Sequence, residues 1–563
     1  MMALLDDIAA LVRGALTEAQ RAGSLPSADV DEVPLERPQK PENGDFASSL
    51  PLKLARAMRM SPMKIAEAVA PLIPVGGALD RVWTAPPGFL NFALADGWLA
   101  EQVNAVRAAG PTYGNSDMGD GRRVQVEFVS VNPTGPLHVG HARGAVFGSA
   151  LANVLEAAGY EVEREYYLND AGTQMDLFNR SLLARYQQLQ GADAELPPKG
   201  YQGEYMLDLA RELMAESGED YAEMPDEDAA RDIGELGLRR MVESIRADMK
   251  RIRVRYDVWF SERSLFDGGQ YDRAMAVLDE GGFLIDRDGA RWFASTKLGD
   301  EDDKVLVRSN GAPGYFASDV AYHYEKFFER HFDRVIDVLG ADHQGHVRSM
   351  KAVATALGIE ADRLDLLVYQ LVTIKRGLET VRASKRTGDM VTLREVVDEV
   401  GADACRFFFL SRSAESQMEF DLELAKKESN ENPVYYVQYA HARISGILRL
   451  ARERGVAYED GDVSLLRHEA ELGLIRKMLE LPELVEAMAQ KMEPHHLPHY
   501  AMELATALHG FYQLGKRESE YRVVSSDPAD LEGTKARLKL VDAARIVLAR
   551  CLSLMLMDAP EEM

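Results

Sequence analysis

A chain of 563 residues is too long for one core, so three or four separately packed units are expected. With 46% hydrophobic and 28% charged residues, and no apolar run near the ~20 residues that cross a bilayer, the composition excludes membrane insertion. Two cysteines, Cys405 and Cys551, exclude a disulfide framework and a four-cysteine zinc site, and a net charge of −26 excludes loose, charge-driven adhesion to nucleic acid, though not RNA binding through one basic face.

The N-terminus, Met1-Met2-Ala3-Leu4-Leu5-Asp6-Asp7, has neither the basic start nor the small-residue cleavage site of a signal peptide and reads as an amphipathic helix, which predicts a cytoplasmic protein. Residues 1–112 form a small α+β module ending in Pro86-Pro87-Gly88-Phe89-Leu90-Asn91-Phe92. Residues 113–185 open a second unit with a strand predicted over Val124-Gln125-Val126-Glu127-Phe128-Val129-Ser130-Val131. Residues 186–300 are helical, heavily charged and poor in strand signals, which predicts an insertion; residues 301–405 resume the second unit. From 406 to 563, apolar residues at 3.6-residue spacing, such as Ala501, Leu504, Ala505 and Leu508, predict a helical bundle.

The most informative segment is Asn132-Pro133-Thr134-Gly135-Pro136-Leu137-His138-Val139-Gly140-His141, a turn between the predicted strand and a helix in which Val146, Phe147, Ala150, Leu151, Val154 and Leu155 recur. Gly159 caps that helix, and a strand resumes at Glu161-Val162-Glu163, which makes a βαβ unit and hence a parallel sheet. A helix N-terminus directly after a strand offers free N–H groups and the positive end of the dipole to a phosphate chain. His138 and His141 can reach the same phosphates, and Gly140 removes a side chain where adenine would approach. Paired histidines in a turn are often incidental or metal ligands, but zinc needs a third ligand and commonly a Glu inside the motif, where Val139-Gly140 stands instead. No metal site is predicted.

His138-Val139-Gly140-His141 resembles the first ATP motif of the class I aminoacyl-tRNA synthetases, whose catalytic domain is a Rossmann-like parallel sheet. Glu379-Thr380-Val381-Arg382-Ala383-Ser384-Lys385-Arg386-Thr387-Gly388 resembles the family's second, mobile ATP loop, with Ser384 and Lys385 matching its Ser-Lys pair. Arg382, Ala383 and Arg386 stand where the commonest form has Lys, Met and Ser. The resemblance implies ATP as substrate, Mg2+ bound through its phosphates, His138, His141 and Lys385 as catalytic residues, and Gly140, Ser384 and His343 in ATP binding.

A guanidinium substrate demands carboxylates and a flat neighbour. Glu127 and Asp319 match the guanidinium ligands of the arginyl-tRNA synthetase family, Tyr315 stands alongside, and Asn132 and Gln344 match the residues that hold the α-amino end. Singly, a strand Glu or a Tyr at helical spacing is commonly surface or packing; five such positions in family order are what identify the pattern. By the same resemblance the partners are arginine, ATP and tRNA(Arg), the tRNA being charged on the 2′-hydroxyl of its terminal adenosine, with no membrane and a monomeric enzyme.

Asn432-Pro433-Val434-Tyr435-Tyr436-Val437-Gln438-Tyr439-Ala440-His441-Ala442-Arg443 resembles the start of that family's anticodon-binding bundle; Tyr436, Tyr439 and Arg443 share a face that could stack on unpaired bases, although tyrosines so spaced also fill helix interfaces. The Pro87–Phe92 tip resembles the family's tRNA-elbow contact, in which Phe89 would stack and Asn91 read a base edge; a buried Phe in a turn is the packing alternative. Gly510-Phe511-Tyr512-Gln513-Leu514-Gly515-Lys516-Arg517 nearly spells a P-loop, but Arg517 replaces the Mg2+-binding hydroxyl and no strand precedes it, so it is assigned to the bundle. The rival readings are a nucleotidylyltransferase with the same HxGH motif, which would lack the helical tail, a non-catalytic RNA-binding relative, and a class I synthetase for another amino acid.

Overall fold

The computed structural model describes residues 2–217, 221, 224–377, 379–380 and 391–563. The amino-terminal module comprises α1 (Met2–Arg21), β1 (Phe46–Ser48), α2 (Leu50–Met58), α3 (Pro62–Val69), β2 (Leu79–Ala85) and β3 (Phe89–Leu94), its antiparallel sheet ordered β1-β3-β2. On β3 the alternating Leu90, Phe92 and Leu94 enter the core, as period-2 patterning requires. Helix α4 (Asp96–Ala109) then leads out to the C-terminal bundle, where Arg107 pairs with Asp542 at 2.9 Å and Glu459 at 2.8 Å.

The central sheet begins with β4 (Arg123–Phe128), α5 (Val139–Ala157) and β5 (Glu161–Leu168); it continues through α6 (Thr173–Leu189), α7 (Glu204–Ser217) and α8 (Asp226–Arg251) to β6 (Val258–Ser261). After α9 (Arg263–Asp267) and α10 (Gln270–Glu280) come three short strands, β7 (Leu284–Arg287), β8 (Ala290–Phe293) and β9 (Lys304–Val307), which make an antiparallel sheet of their own. Helix α11 (Tyr315–Tyr324), β10 (Arg334–Gly340), α12 (Val347–Ala356) and β11 (Leu364–Tyr369) complete the domain. Its five strands are all parallel, in the order β11-β10-β4-β5-β6. The chain fills one side of β4 before crossing to the other, so the strand order reverses between β4 and β10, where ligands bind at the carboxyl edge of such sheets.

Helix α5 is buried on nearly every side because its small residues let the sheet close on it. A Cβ on Gly148 would lie 2.3 Å from the Phe128 ring, and one on Gly144 2.6 Å from the Tyr369 ring, so these two glycines, one turn apart, seat the helix between β4 and β11. Burying its Val, Leu and Phe side chains contributes ~1.5–3 kcal/mol each before conformational entropy is charged against it.

Three boundaries differ from the sequence reading. Strand β6 pairs with β5, so the central sheet resumes inside the 186–300 segment expected to be an insertion, and β7 and β8 add strands where few were expected. A small sheet of β12 (Val372–Arg376), β13 (Glu379–Thr380) and, after α13 (Leu393–Val400) and α14 (Ala402–Leu410), β14 (Met418–Asp421) carries the catalytic unit past the expected limit at 405. The first strand ends at Phe128 rather than Val131, because Val129 and Ser130 take positive φ of 72° and 41°.

After α15 (Leu422–Ala425), the bundle consists of α16 (Pro433–Glu453), α17 (Glu469–Met478), α18 (Leu481–Lys491), α19 (His496–Arg517) and α20 (Leu531–Leu554). The P-loop lookalike lies within α19, as its spacing predicted. Two ion pairs fasten the amino-terminal module to α17 and α18: Arg37 to Glu483 at 2.8 Å and Arg476 to Asp45 at 2.6 Å.

Candidate active site

The turn out of β4 is strained. A left-handed β-branched residue costs ~1–3 kcal/mol, so neighbours must hold it. The Tyr256 hydroxyl donates to the carbonyl of Phe128 (3.1 Å), the Tyr166 hydroxyl to that of Val131 (2.9 Å), and the Tyr167 N–H to Ser130 Oγ (3.1 Å). The kink turns the chain across the sheet edge to His138, which becomes the N-cap of α5.

His138 Nδ1 accepts the Gly140 N–H at 3.1 Å, which leaves the proton of a neutral ring on Nε2, and the His141 ring lies 3.4 Å away centroid to centroid. A Cβ on Gly140 would stand 2.9 Å from the His138 ring, so this glycine first of all makes room for the capping imidazole. The Val139 N–H donates to the Val391 carbonyl (3.1 Å) and the Leu393 N–H to that of Leu137 (2.9 Å), stitching the histidine turn to the chain that follows the second ATP motif. Ser384 and Lys385, with Arg382, Ala383 and Arg386, lie outside the described residues. Sequence reasoning missed Arg143, 1% exposed, whose guanidinium donates to the carbonyls of Gln370 (2.8 Å), Ser416 (2.7 Å) and Ser413 (2.7 Å) and so ties the second turn of α5 to the chain that enters β12 and β14.

Beside this turn lies an acidic pocket. Glu127 Oε2 accepts from Lys326 Nζ at 2.6 Å. Asp319, in the second turn of α11, receives no hydrogen bond or ion pair on its carboxylate among the described residues. Burial pushes its carboxyl up to about 7; the charges of Glu262, Glu127 and Asp337 add to that, and His323 opposes it. Ser318, the residue before Asp319, donates to Glu262, and Lys326, just beyond α11, donates to Glu127, so this helix gathers the three carboxylates. Glu262 directly follows β6 and is also raised, by burial first; Ser318 Oγ donates to it. Asp170 fixes its turn by accepting from Ser261 Oγ (2.6 Å) and the Arg263 N–H (3.2 Å). Glu262 went unread because it sits in a segment dense with acids; its one signal was its place at the end of Val258-Trp259-Phe260-Ser261.

Tyr315, 63% exposed at the start of α11, stands edge-on to His346 with ring centroids 6.2 Å apart and lines a cleft of about 630 Å³ with Lys304, Arg308, Asp342 and Ser349. Tyr315 stands one turn before Asp319 on α11, so the cleft and the acidic pocket adjoin. Half-buried Asn132 donates to Gln174 (2.6 Å); Gln344 is exposed and His343 half-buried on the Ala341–His346 turn after β10.

Of the residues expected to meet RNA, three come together. Arg443 lies over the rings of Tyr439 (4.5 Å) and Tyr512 (4.7 Å), and Tyr436 packs on His509 (4.8 Å). Tyr512 and His509 were not anticipated, since they come from α19, more than sixty residues downstream. Phe89 is half-buried at the start of β3. Asn91 corrects the sequence reading: it is 1% exposed, in the middle strand between Ala47 and Trp83, and cannot present its amide to a base edge.

A parallel sheet whose reversal point carries a helix capped by the first histidine of His138-Val139-Gly140-His141 is the arrangement of a class I aminoacyl-tRNA synthetase. Residues 102–421 match the class I (R) tRNA synthetase catalytic domain, residues 6–94 the arginyl-tRNA synthetase N-terminal domain, and residues 437–563 the DALR anticodon-binding domain. The arginine–tRNA ligase of Dehalococcoides mccartyi (strain BAV1) is 57% identical over 98% of this chain and 97% of its own, and that of Carboxydothermus hydrogenoformans 45% identical over the whole of both. The arginyl-tRNA synthetase of Thermus thermophilus superposes with a TM-score of 0.76 at 23% identity, over 98% of this chain and 99% of its own. The chain belongs to the arginyl-tRNA synthetase family.

Proposed function

We propose that the chain activates L-arginine with ATP to arginyl-adenylate and transfers the arginyl group to the 2′-hydroxyl of the 3′-terminal adenosine of tRNA(Arg). The observation that carries this reading is the gathering of Glu127, Asp319 and Glu262 by α11 at the sheet's reversal point, Glu127 standing on the strand that leads into the His138 turn. Asp319, whose carboxylate has no hydrogen bond or ion pair among the described residues, and Glu127 receive the guanidinium; Tyr315 flanks the side chain, while Asn132, Gln344 and Glu262 receive the α-amino end.

In activation, a carboxylate oxygen of arginine attacks the α-phosphorus of ATP, whose Mg2+ rides on the phosphates, and the bond to pyrophosphate breaks. His138, through Nε2–H, and His141 donate to the leaving phosphates at the N-terminus of α5, and the Lys385 ammonium closes on the α-phosphate, so stabilisation grows as charge develops. His343 contributes to ATP binding, as does Gly140 by admitting the nucleotide close to the backbone; Ser384 adjoins Lys385. The terminal 2′-hydroxyl then attacks the acyl carbon and AMP leaves, with no covalent enzyme intermediate. Offering the protein each of the twenty amino acids with ATP and total tRNA tests this: arginine alone should be charged, and charging of another in its place overturns the reading.

Asp319 makes arginine binding depend on pH. Its carboxyl, raised to about 7, is protonated below that value and must ionise to hold a guanidinium. The arginine KM should therefore fall by about tenfold as pH rises from 6 to 8; a flat KM across that window would remove Asp319 from the site. For the RNA face, Arg443→Ala should raise the tRNA KM by roughly tenfold, the worth of one stacked base, and leave the arginine KM unchanged. An unmoved tRNA KM in charging assays would assign the Tyr439, Arg443 and Tyr512 stack to helix packing.

A further inference from the structure

One strong cation near the pocket has no part in the chemistry above. Lys326 is 0% exposed and sits in a π-helical turn, Glu325–Glu329, that continues α11. Such turns shift the register of a helix by one residue and are frequent at functional sites. Here Lys326 reaches the sheet: its Nζ donates to Glu127 Oε2 at 2.6 Å and to Asp337 Oδ1 at 2.8 Å, and lies 4.0 Å from the centroid of the Tyr322 ring. Glu127 and Asp337 are paired neighbours on β4 and β10, so one ammonium spans the two strands at the reversal point. The second oxygen of Asp337 faces His323 Nε2 at 3.0 Å, and His323 Nδ1 lies 2.8 Å from the backbone carbonyl of Asp319. Both ring nitrogens thus face acceptors. A continuous run of polar contacts joins Glu127 to the backbone of Asp319.

We propose that Lys326 is a positioning residue for arginine: by occupying Glu127 Oε2 it leaves only Oε1 for the substrate, and through Asp337 and His323 it sets the turn bearing Asp319. The inference rests on the assignment of Glu127 and Asp319 to the guanidinium. It specifies the division of labour between them: Asp319 takes the planar fork with two oxygens, and Glu127 takes a single N–H. The electrostatics agree with the geometry. Burial works against the Lys326 ammonium, yet Asp337, Glu127 and Glu165 together hold it charged; Asp337 is drawn down by Lys326 and His323 despite its own burial. Glu127 is raised by burial, and the Lys326 charge is the chief influence opposing this. Without the cation, Glu127 would lose the chief influence that opposes its burial.

The test is a cycle of variants of the full-length enzyme, read as arginine KM, ATP KM and kcat in tRNA charging. Lys326→Met alone strands two buried carboxylates and risks unfolding, so it is combined with Asp337→Asn, which removes the matching charge. In this double variant the arginine KM should rise roughly tenfold or more, the worth of one charge-assisted hydrogen bond, with ATP KM and kcat within threefold of the parent. In the Glu127→Gln background the same pair of changes should move the arginine KM by a clearly smaller factor, because the part of the effect that passes through Glu127 is already lost and only the part passed to Asp319 through Asp337 and His323 remains. Lys326→Arg, which keeps the cation, should stay within about threefold of the parent. An equal rise in both backgrounds, an unchanged arginine KM, a loss confined to kcat, or failure of the charge-balanced double variant to fold would each overturn the proposal and leave Lys326 a structural residue. Asp319→Ala separates the two layers: an unmoved arginine KM there defeats the site assignment itself, whereas a raised one beside silent Lys326 changes defeats this proposal alone.

Discussion

His138→Ala should lower kcat for adenylate formation by roughly 10²–10³-fold, the cost of removing one preorganised donor to developing charge, while the arginine KM changes less than threefold. The reason lies in the cap. Nδ1 is committed to the Gly140 N–H, so the ring is held at the head of α5 with Nε2–H as its donor, and its contribution increases only as pyrophosphate begins to leave. Lys385→Ala should fall in the same class, with kcat depressed and arginine affinity kept. Pyrophosphate exchange and charging rates under saturating substrates check both, and a kcat within threefold of the parent in both variants would refute their catalytic assignment. A fall in thermal stability would be expected to accompany His138→Ala, because loss of an N-cap costs ~1 kcal/mol, and this separates capping from catalysis when the melting temperature is measured alongside.

Asp319→Ala should act on the other kinetic parameter. Truncating one partner of a buried charge pair costs about 2–5 kcal/mol in binding, which corresponds to an arginine KM raised by roughly 10² or more, with the ATP KM nearly constant. Asp319 is singled out over Glu127 because its carboxylate has no hydrogen bond or ion pair among the described residues, whereas Glu127 is already half satisfied by Lys326. The sign with pH follows. A carboxyl raised to about 7 in the folded protein, against ~3.9 in an unfolded chain, favours folding fully at low pH and loses that contribution as pH rises through 7. Bound arginine, by supplying the missing cation, relieves the penalty, so its stabilisation of the protein should grow between pH 6 and 8 and be small in Asp319→Ala at either end. Thermal shift with and without arginine measures this, and an equal shift at both pH values would contradict it.

The amino-acid sequence by itself determined what depends on local pattern. The strand, turn and helix around His138 were legible because β-branched alternation, an N-cap and a 3.6-residue apolar repeat are each encoded within about twenty residues, and the bundle helices and the false P-loop followed from the same periodicities. Glu127, Asp319 and Tyr315 were legible only through family order, since nothing local distinguishes a pocket carboxylate from a solvated one. The tertiary structure alone decided the rest. That β6 rejoins the sheet, that Glu262 therefore enters the pocket, and that Asn91 is sealed inside the amino-terminal module all depend on pairings between distant strands. Lys326 is the clearest case: in sequence it is one lysine among charged neighbours, and only the π-helical turn and the β4 to β10 register bring it against two carboxylates. The physical reason is common to these. Burial and charge pairing are set by which segments meet across the sheet, and no window along the chain contains both partners.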